Sequence, residues 1–370
     1  MTSGDAPKTQ SKPTFGNIDF DTTPFLAFWE MTRACTLACR HCRATTQPRR
    51  HPQELTREEG YHLIDQTAQM GVPLLILSGG DPMMRPDLFD FICYGTGKGL
   101  RMSLAPSATK LVTAEALGRA KEMGLARASL SLDGSTSAIH DAFRRTPGSF
   151  QRTIRAIEAA REAAVPIQIN TTVSRFNIGD LEDLRGLVAR FEAVLWDLFF
   201  LVPTGRGKRD DMMSPQDHED VFHWLYRLAP QVPFDIKTTA AEHYRRVALQ
   251  MGRDHHPDTQ PPADGIGRAA QGVNDGKGCC FISHIGEVYP SGFLPLVAGN
   301  VREKPLADIY RHSPLFRDLR DPNKLKGKCG RCTYRFLCGG SRARAYAVTG
   351  DYLEAEPNCI YQPPETRGDT

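Results

Sequence analysis

The sequence predicts an α/β protein: a parallel sheet of six strand–helix units over residues 21–230, followed by a small cysteine-rich appendage. Three observations carry this. Six short apolar stretches recur at regular spacing between residues 25 and 202, with helix-like segments between them. Parallel neighbours need a covering crossover, so this alternation implies a parallel sheet clad in helices. The ten cysteines are also unevenly placed: Cys35, Cys39 and Cys42 at the start, Cys93 alone, and Cys279, Cys280, Cys329, Cys332, Cys338 and Cys359 near the end.

The strand stretches are FLAFWEM (25–31), VPLLILS (72–78), LRMSLAP (100–106), ARASLSL (126–132), PIQINTTV (166–173) and VLWDLFFLV (194–202). LTREEGYHLIDQTAQMG (55–71) reads as a helix with Thr56 as its cap, Glu59 three residues on and Gly71 at its end. SFQRTIRAIEAAREAA (149–164) and DLEDLRGLVARFEA (180–193) repeat the pattern. After a polar loop, SPQDHEDVFHWLYRLA sets Val221, Leu225 and Leu228 on one helical side. Periodicity leaves open whether the sheet is doubly wound or a curved partial barrel. Residues 1–20 read as a flexible N-terminal leader with no apolar h-region. Residues 231–278 read as a connecting helix and linker, and 279–370 as an appendage too thin in apolar residues for a large core.

Composition narrows the function. A net charge of +3 over 370 residues gives no support for nucleic acid, and no apolar run approaches the ~20 residues that span a bilayer. The expected compartment is the cytoplasm, where thiols stay reduced and ten cysteines point to metal or redox chemistry.

Cys35, Cys39 and Cys42 follow the first predicted strand, at the sheet edge where α/β proteins place ligands. Three thiolates suit three corners of a cubane iron–sulfur cluster, with the fourth iron left to a small molecule. The competing reading is zinc completed by His41 or His51, although zinc more often takes paired knuckles. With "LSGGDP" (77–82) one helix and one strand later, the sequence resembles the radical S-adenosylmethionine (SAM) superfamily.

That resemblance implies a partial (β/α)6 TIM-like barrel and a [4Fe–4S] cluster on Cys35, Cys39 and Cys42 with SAM bound to its open iron. It implies a one-electron cleavage of SAM to methionine and a 5′-deoxyadenosyl radical, which takes a hydrogen atom from substrate. Gly79, Gly80 and Asp81 would meet the methionyl amino group. Ser131 or Asp133 in "SLSLDG" would lie near the ribose or carboxylate of SAM. Asn170 and Thr172 end the fifth strand, and the segment holding Val202 would support adenine through backbone groups.

"KCGRCTYRFLCGG" and "EPNC" place Cys329, Cys332, Cys338 and Cys359 at a spacing that zinc also accepts. It resembles the SPASM/twitch-type extension of radical SAM enzymes, which implies an auxiliary [4Fe–4S] cluster on those four. A second auxiliary cluster would need thiolates where this chain has Ser291 and Ser341, so one auxiliary cluster is expected, with Cys279 and Cys280 free.

Several longer stretches, "WEMTRACTLACRHCRA", "GGDPMMRPDLFD", "HDAFRRTPGSF" and "CGGSRARAYAVTGDYLEAEPNC" among them, resemble the alternative haem biosynthesis branch. That branch includes the oxidative decarboxylase of iron-coproporphyrin III and the haem d1 enzymes. The resemblance implies an oxidoreductase acting on a tetrapyrrole, with a flavodoxin or ferredoxin-type electron donor. Modification of a ribosomal peptide is the runner-up, and a non-enzymatic electron carrier would not need the GGDP motif. Arg33, Arg40, Arg43, Arg49 and Arg50 are read as solvating the cysteine loop or docking an acidic donor, and Arg342 and Arg344 as carboxylate grips or a basic helix face. Cys93 is expected in the core, Glu30 near the site, and His255–His256 in a solvated linker.

Overall fold

The computed structural model describes residues 18–255 and 272–364. Its strands are β1 (Leu26–Glu30), β2 (Leu74–Ser78), β3 (Arg101–Leu104), β4 (Leu125–Ser131), β5 (Ile167–Val173), β6 (Leu195–Phe200), β7 (Asp235–Thr239), β8 (Cys279–Ile282), β9 (Glu287–Tyr289) and β10 (Gly299–Asn300). They form one sheet in the order β10-β9-β8-β1-β2-β3-β4-β5-β6-β7. From β8 to β7 every neighbour is parallel, while β9 and β10 add antiparallel edges. The end strands do not pair, so the sheet is an open partial barrel.

The helices cover its outer face: α1 (Arg57–Gln69), α2 (Leu88–Gly97), α3 (Ala114–Glu122), α4 (Ser137–Arg144), α5 (Ser149–Glu162), α6 (Leu181–Arg190), α7 (Pro215–Leu228) and α8 (Tyr244–His255). Four shorter ones follow: α9 (Leu306–His312), α10 (Pro314–Arg320), α11 (Gly327–Arg331) and α12 (Arg342–Thr349). Thr56 and Glu59 make a capping box on α1, and Ser214 with Asp217 does the same for α7. Such reciprocal bonds satisfy amides that no helical carbonyl can reach.

Strand alternation sorts the side chains. On β5, Ile167, Ile169, Thr171 and Val173 are buried toward the helices, while Gln168, Asn170 and Thr172 face the interior of the barrel. The helix-side layer is apolar: Trp29, Leu77, Phe91, Leu130, Ile157, Leu184 and Trp196 are among its fully buried members. The interior is instead a cavity of about 1150 Å³.

Four expectations change. The reading of 231–278 as helix and linker misses β7, whose DIKTT pairs with β6 through backbone bonds and carries only one apolar residue, Ile236. Residues 279–282 do not stand apart with the appendage, because β8 pairs in parallel with β1, Leu26 opposite Cys279. Cys93 is exposed, since α2 buries Leu88, Phe91, Ile92 and Gly95 instead. Phe20 does not behave as free leader: its carbonyl accepts from the Tyr310 hydroxyl at 2.7 Å. Residues 1–17 and His256 lie outside the described residues. Among the described residues no helix is long and apolar enough to cross a membrane.

Candidate active site

The loop after β1 carries Cys35, Cys39 and Cys42, and the GGD turn after β2 holds it in place. Gly80 N–H donates to the Thr32 carbonyl and Asp81 N–H to the Ala34 carbonyl, each at 2.7 Å. A Cβ on Gly79 would come within 2.6 Å of the Thr32 oxygen, and one on Gly80 within 2.4 Å of the Ala34 oxygen. These glycines are therefore required by close backbone packing against the cysteine loop. Farther along the loop, Arg40 makes a two-pronged pair with Asp211 at 2.7 and 3.1 Å.

All three thiols line the cavity, together with Gly79, Gly80, Ser131, Asn170, Thr172 and Val202. Cys35 Sγ lies 3.4 Å from Ser107 Oγ and accepts from Leu37 N–H, and Cys39 Sγ accepts from Arg144 at 3.5 Å. Burial raises Cys35. Burial would also raise Cys42, but amides of Thr46 and Ala44 and the charges of Arg206 and Arg43 hold it below the ordinary thiol value. Donors and cations around sulfur favour thiolates, the form that binds iron. His41 faces the cavity but stacks on Phe143 at 4.4 Å, and burial pushes it down to about 4. Among the described residues no three His, Cys, Asp or Glu side chains close around a single ion. Three spread thiols with no fourth protein ligand fit a cubane cluster with an open corner better than zinc.

Two carboxylates expected near SAM do other work. Asp81 is buried and does not line the cavity. It accepts from Thr109 Oγ1 at 2.8 Å and from Met83 N–H at 3.2 Å, and burial pushes it up to about 6. Asp133 grips Arg144 at 2.5 and 2.6 Å and accepts from Thr172 N–H at 2.7 Å. Burial opposes ionisation of Asp133, yet Arg144 keeps it below the usual carboxylate range. The guanidinium that Asp133 aims is the cavity-facing group. The motif "HDAFRRTPGSF" contained Arg144, but its role depends on α4 returning to the cysteine loop, which spacing does not show.

Other charged residues near the loop are structural. Glu30 is fully buried with Arg33 and Arg43, each at 3.1 Å, and His284 at 3.3 Å; these partners override burial and hold it ionised. Arg50 pairs with Glu54 at 2.6 Å. Neither Arg342 nor Arg344 grips a ligand or forms a basic face. Both are buried: Arg344 pairs with Glu356 and donates to the carbonyls of Phe200, Leu201 and Ala240, and Arg342 to those of Gly340, Tyr352 and Glu354. Arg344 ties the C-terminal segment to the ends of β6 and β7, and Arg342 holds that segment to itself.

Cys329, Cys332, Cys338 and Cys359 share one small pocket with His243, Arg246, Lys328 and Arg335. Three of the sulfurs accept backbone amides: Cys329 from Glu356, Cys332 from Tyr334 and Cys338 from Gly340, at 3.3–3.4 Å. Cys279 differs in its partners: its thiol donates to the carbonyls of Asn274 and Pro290, both at 3.2 Å. Burial raises it, as it raises Cys332, Cys338 and Cys359. Ser341 Oγ caps α12, accepting from Arg344 N–H, and Ser291 Oγ accepts from Phe293 N–H. The structure thus gathers the four expected cysteines in one pocket, while the two serines serve local backbone turns.

An open barrel whose first loop presents three thiols to a large cavity, with four more gathered in a separate pocket, defines an iron–sulfur enzyme that keeps one cluster corner for a small molecule. Residues 29–188 match the radical SAM superfamily, and residues 274–333 match the SPASM iron–sulfur cluster-binding domain. The AdoMet-dependent heme synthase of Methanosarcina barkeri is 44% identical, over 94% of this chain and 99% of its own length. That of Nitratidesulfovibrio vulgaris is 43% identical, over 91% of this chain and 92% of its own. The structure of Streptococcus suis SuiB bound to S-adenosylmethionine superposes with a TM-score of 0.69 at 16% identity, covering 92% of this chain and 78% of SuiB. The chain belongs to the radical SAM superfamily, in its SPASM-domain branch alongside the AdoMet-dependent heme synthases. It is accordingly a radical SAM enzyme of oxidative type, with a SAM-binding [4Fe–4S] cluster and a C-terminal iron–sulfur domain.

Proposed function

We propose that this enzyme converts propionate side chains of iron-coproporphyrin III into vinyl groups, forming haem b. The observation that supports this reading is the similarity to AdoMet-dependent heme synthases, which runs along nearly the full length of both chains. Cys35, Cys39 and Cys42 would hold the SAM-binding cluster, and Cys329, Cys332, Cys338 and Cys359 the single auxiliary one. Bound there, these groups supply a 5′-deoxyadenosyl radical and one-electron redox chemistry.

The chain's own residues orient the reactants. Gly79 and Gly80 bring the turn against the cysteine loop, and Arg144, aimed by Asp133, offers a fixed cation to the SAM carboxylate. Ser131, Asn170 and Thr172 supply polar contacts at the ends of β4 and β5, and backbone groups around Val202 support the adenine. On the substrate, removal of a hydrogen atom from the propionate β-carbon and loss of CO2 leave a vinyl group and one electron, for which a cluster held by Cys329, Cys332, Cys338 and Cys359 would be the acceptor. A flavodoxin or ferredoxin-type protein is the proposed donor for SAM cleavage.

Anaerobic turnover with iron-coproporphyrin III, SAM and dithionite tests the reading. The expected result is stepwise loss of CO2 from two propionates, with 5′-deoxyadenosine formed in step. An unchanged porphyrin with continuing 5′-deoxyadenosine formation would refute it and favour a peptide substrate.

A further inference from the structure

The cavity is not uniform. Its β1–β2 wall is apolar, with Leu26, Phe28, Leu74 and Ile76, whereas β4 and β5 line it with Arg127, Ser129, Ser131, Gln168 and Asn170. Arg127 stands four residues before Ser131 on β4, roughly 13 Å deeper at about 3.3 Å per residue. It forms no ion pair among the described residues. Its Nε is buried without a hydrogen-bond partner, and among the described residues the guanidinium makes one hydrogen bond, a long 3.4 Å one to Gln168 Oε1. The neighbouring carboxylates form no ion pair with it: Asp197 is taken by Lys237 at 2.9 Å and Thr239 Oγ1 at 2.8 Å, and Asp235 acts on Arg127 only as a more distant charge. Arg101, also on the cavity wall, adds positive charge at the same end.

An under-bonded guanidinium inside a cavity is costly unless an anion completes it. The planar fork of arginine matches a carboxylate in two-pronged geometry. The apolar wall suits a flat ring system and the polar wall its peripheral acids.

Resting on the tetrapyrrole reading above, we propose that Arg127 anchors a carboxylate subsite at the floor of the barrel. It holds a propionate that is retained in the product, and so presents the opposite edge of the macrocycle to the cysteine loop. Arg127 is a positioning residue in this assignment, remote from the reacting carbon.

The test is equilibrium binding of iron-coproporphyrin III and of haem b to the reconstituted holoenzyme, followed by the porphyrin absorption band. Wild type is compared with Arg127→Met and Arg127→Lys, and iron content and cluster absorption verify that each variant is folded. Arg127→Met should weaken both ligands by roughly tenfold or more, the loss of a charge-assisted pair. Arg127→Lys should recover part of that loss for both. Unchanged affinity in Arg127→Met would overturn the subsite. Weakened iron-coproporphyrin III with unaffected haem b would overturn its assignment to a retained propionate. If wild type binds neither porphyrin, the tetrapyrrole reading fails and takes the subsite with it.

Discussion

The two cysteine regions differ in what surrounds their sulfurs. Cys35, Cys39 and Cys42 open onto a cavity of about 1150 Å³, on a loop held by the GGD turn and by Arg40 with Asp211. Cys329, Cys332, Cys338 and Cys359 face one another in a small pocket edged by Arg246, Lys328 and Arg335. The first set lacks a fourth ligand and has room for one; the second is complete and has no such space. On the proposed function, ligand number and free volume together would separate a site for bond cleavage from a site for electron transfer.

This contrast can be broken from either side. Replacing Cys35, Cys39 and Cys42 together by Ala should reduce 5′-deoxyadenosine formation to background, and undiminished cleavage would contradict the account. Substituting Cys329 and Cys332 by Ala should leave SAM cleavage in place but cut vinyl formation per 5′-deoxyadenosine by about an order of magnitude. Asp133→Ala leaves Arg144 buried without its carboxylate, which should cost about 3–5 kcal/mol of stability. A denaturant titration under anaerobic conditions would measure it.

Smaller effects sharpen the boundary between the regions. Iron analysis should give about eight Fe per chain, two four-iron clusters, and Cys279→Ser should not change it; a value near twelve would place a third cluster beside Cys279. Glu242 lines the same end of the cavity, where burial and the neighbouring Asp275 push it up to about 7. A carboxyl raised on folding binds its proton more tightly in the native state. Its contribution to stability is full below about 4.5 and is lost as pH rises toward 7. The melting temperature of Glu242→Gln should therefore fall less between pH 5 and pH 8 than that of wild type.

Much of this architecture was legible in the sequence. All six expected strands appear within three residues of their expected bounds, because each keeps apolar residues at least on the side that faces the helices, a period-2 pattern readable in the sequence. Strand β7 escaped because Asp235–Thr239 is a polar edge strand held by backbone bonds. The pairing of β8 with β1 joins residues some 250 positions apart, a separation local pattern cannot report. The cysteines stood out because thiols in tight spacing are rare without purpose. Charged residues were harder to assign: Asp81, Asp133, Arg342 and Arg344 each carry chemistry able to bind a ligand, and only the fold shows their partners. The inverse holds for Arg127, which looks like an ordinary strand residue until its missing partner is seen.

The central claim is that the open cysteine site directs radical chemistry at a propionate of the tetrapyrrole. Iron-coproporphyrin III deuterated at the propionate β-carbons tests it most directly, with 5′-deoxyadenosine collected from anaerobic turnover and weighed by mass spectrometry. The account predicts 5′-deoxyadenosine carrying one deuterium, formed in step with CO2 loss. Unlabelled 5′-deoxyadenosine alongside vinyl product would contradict it.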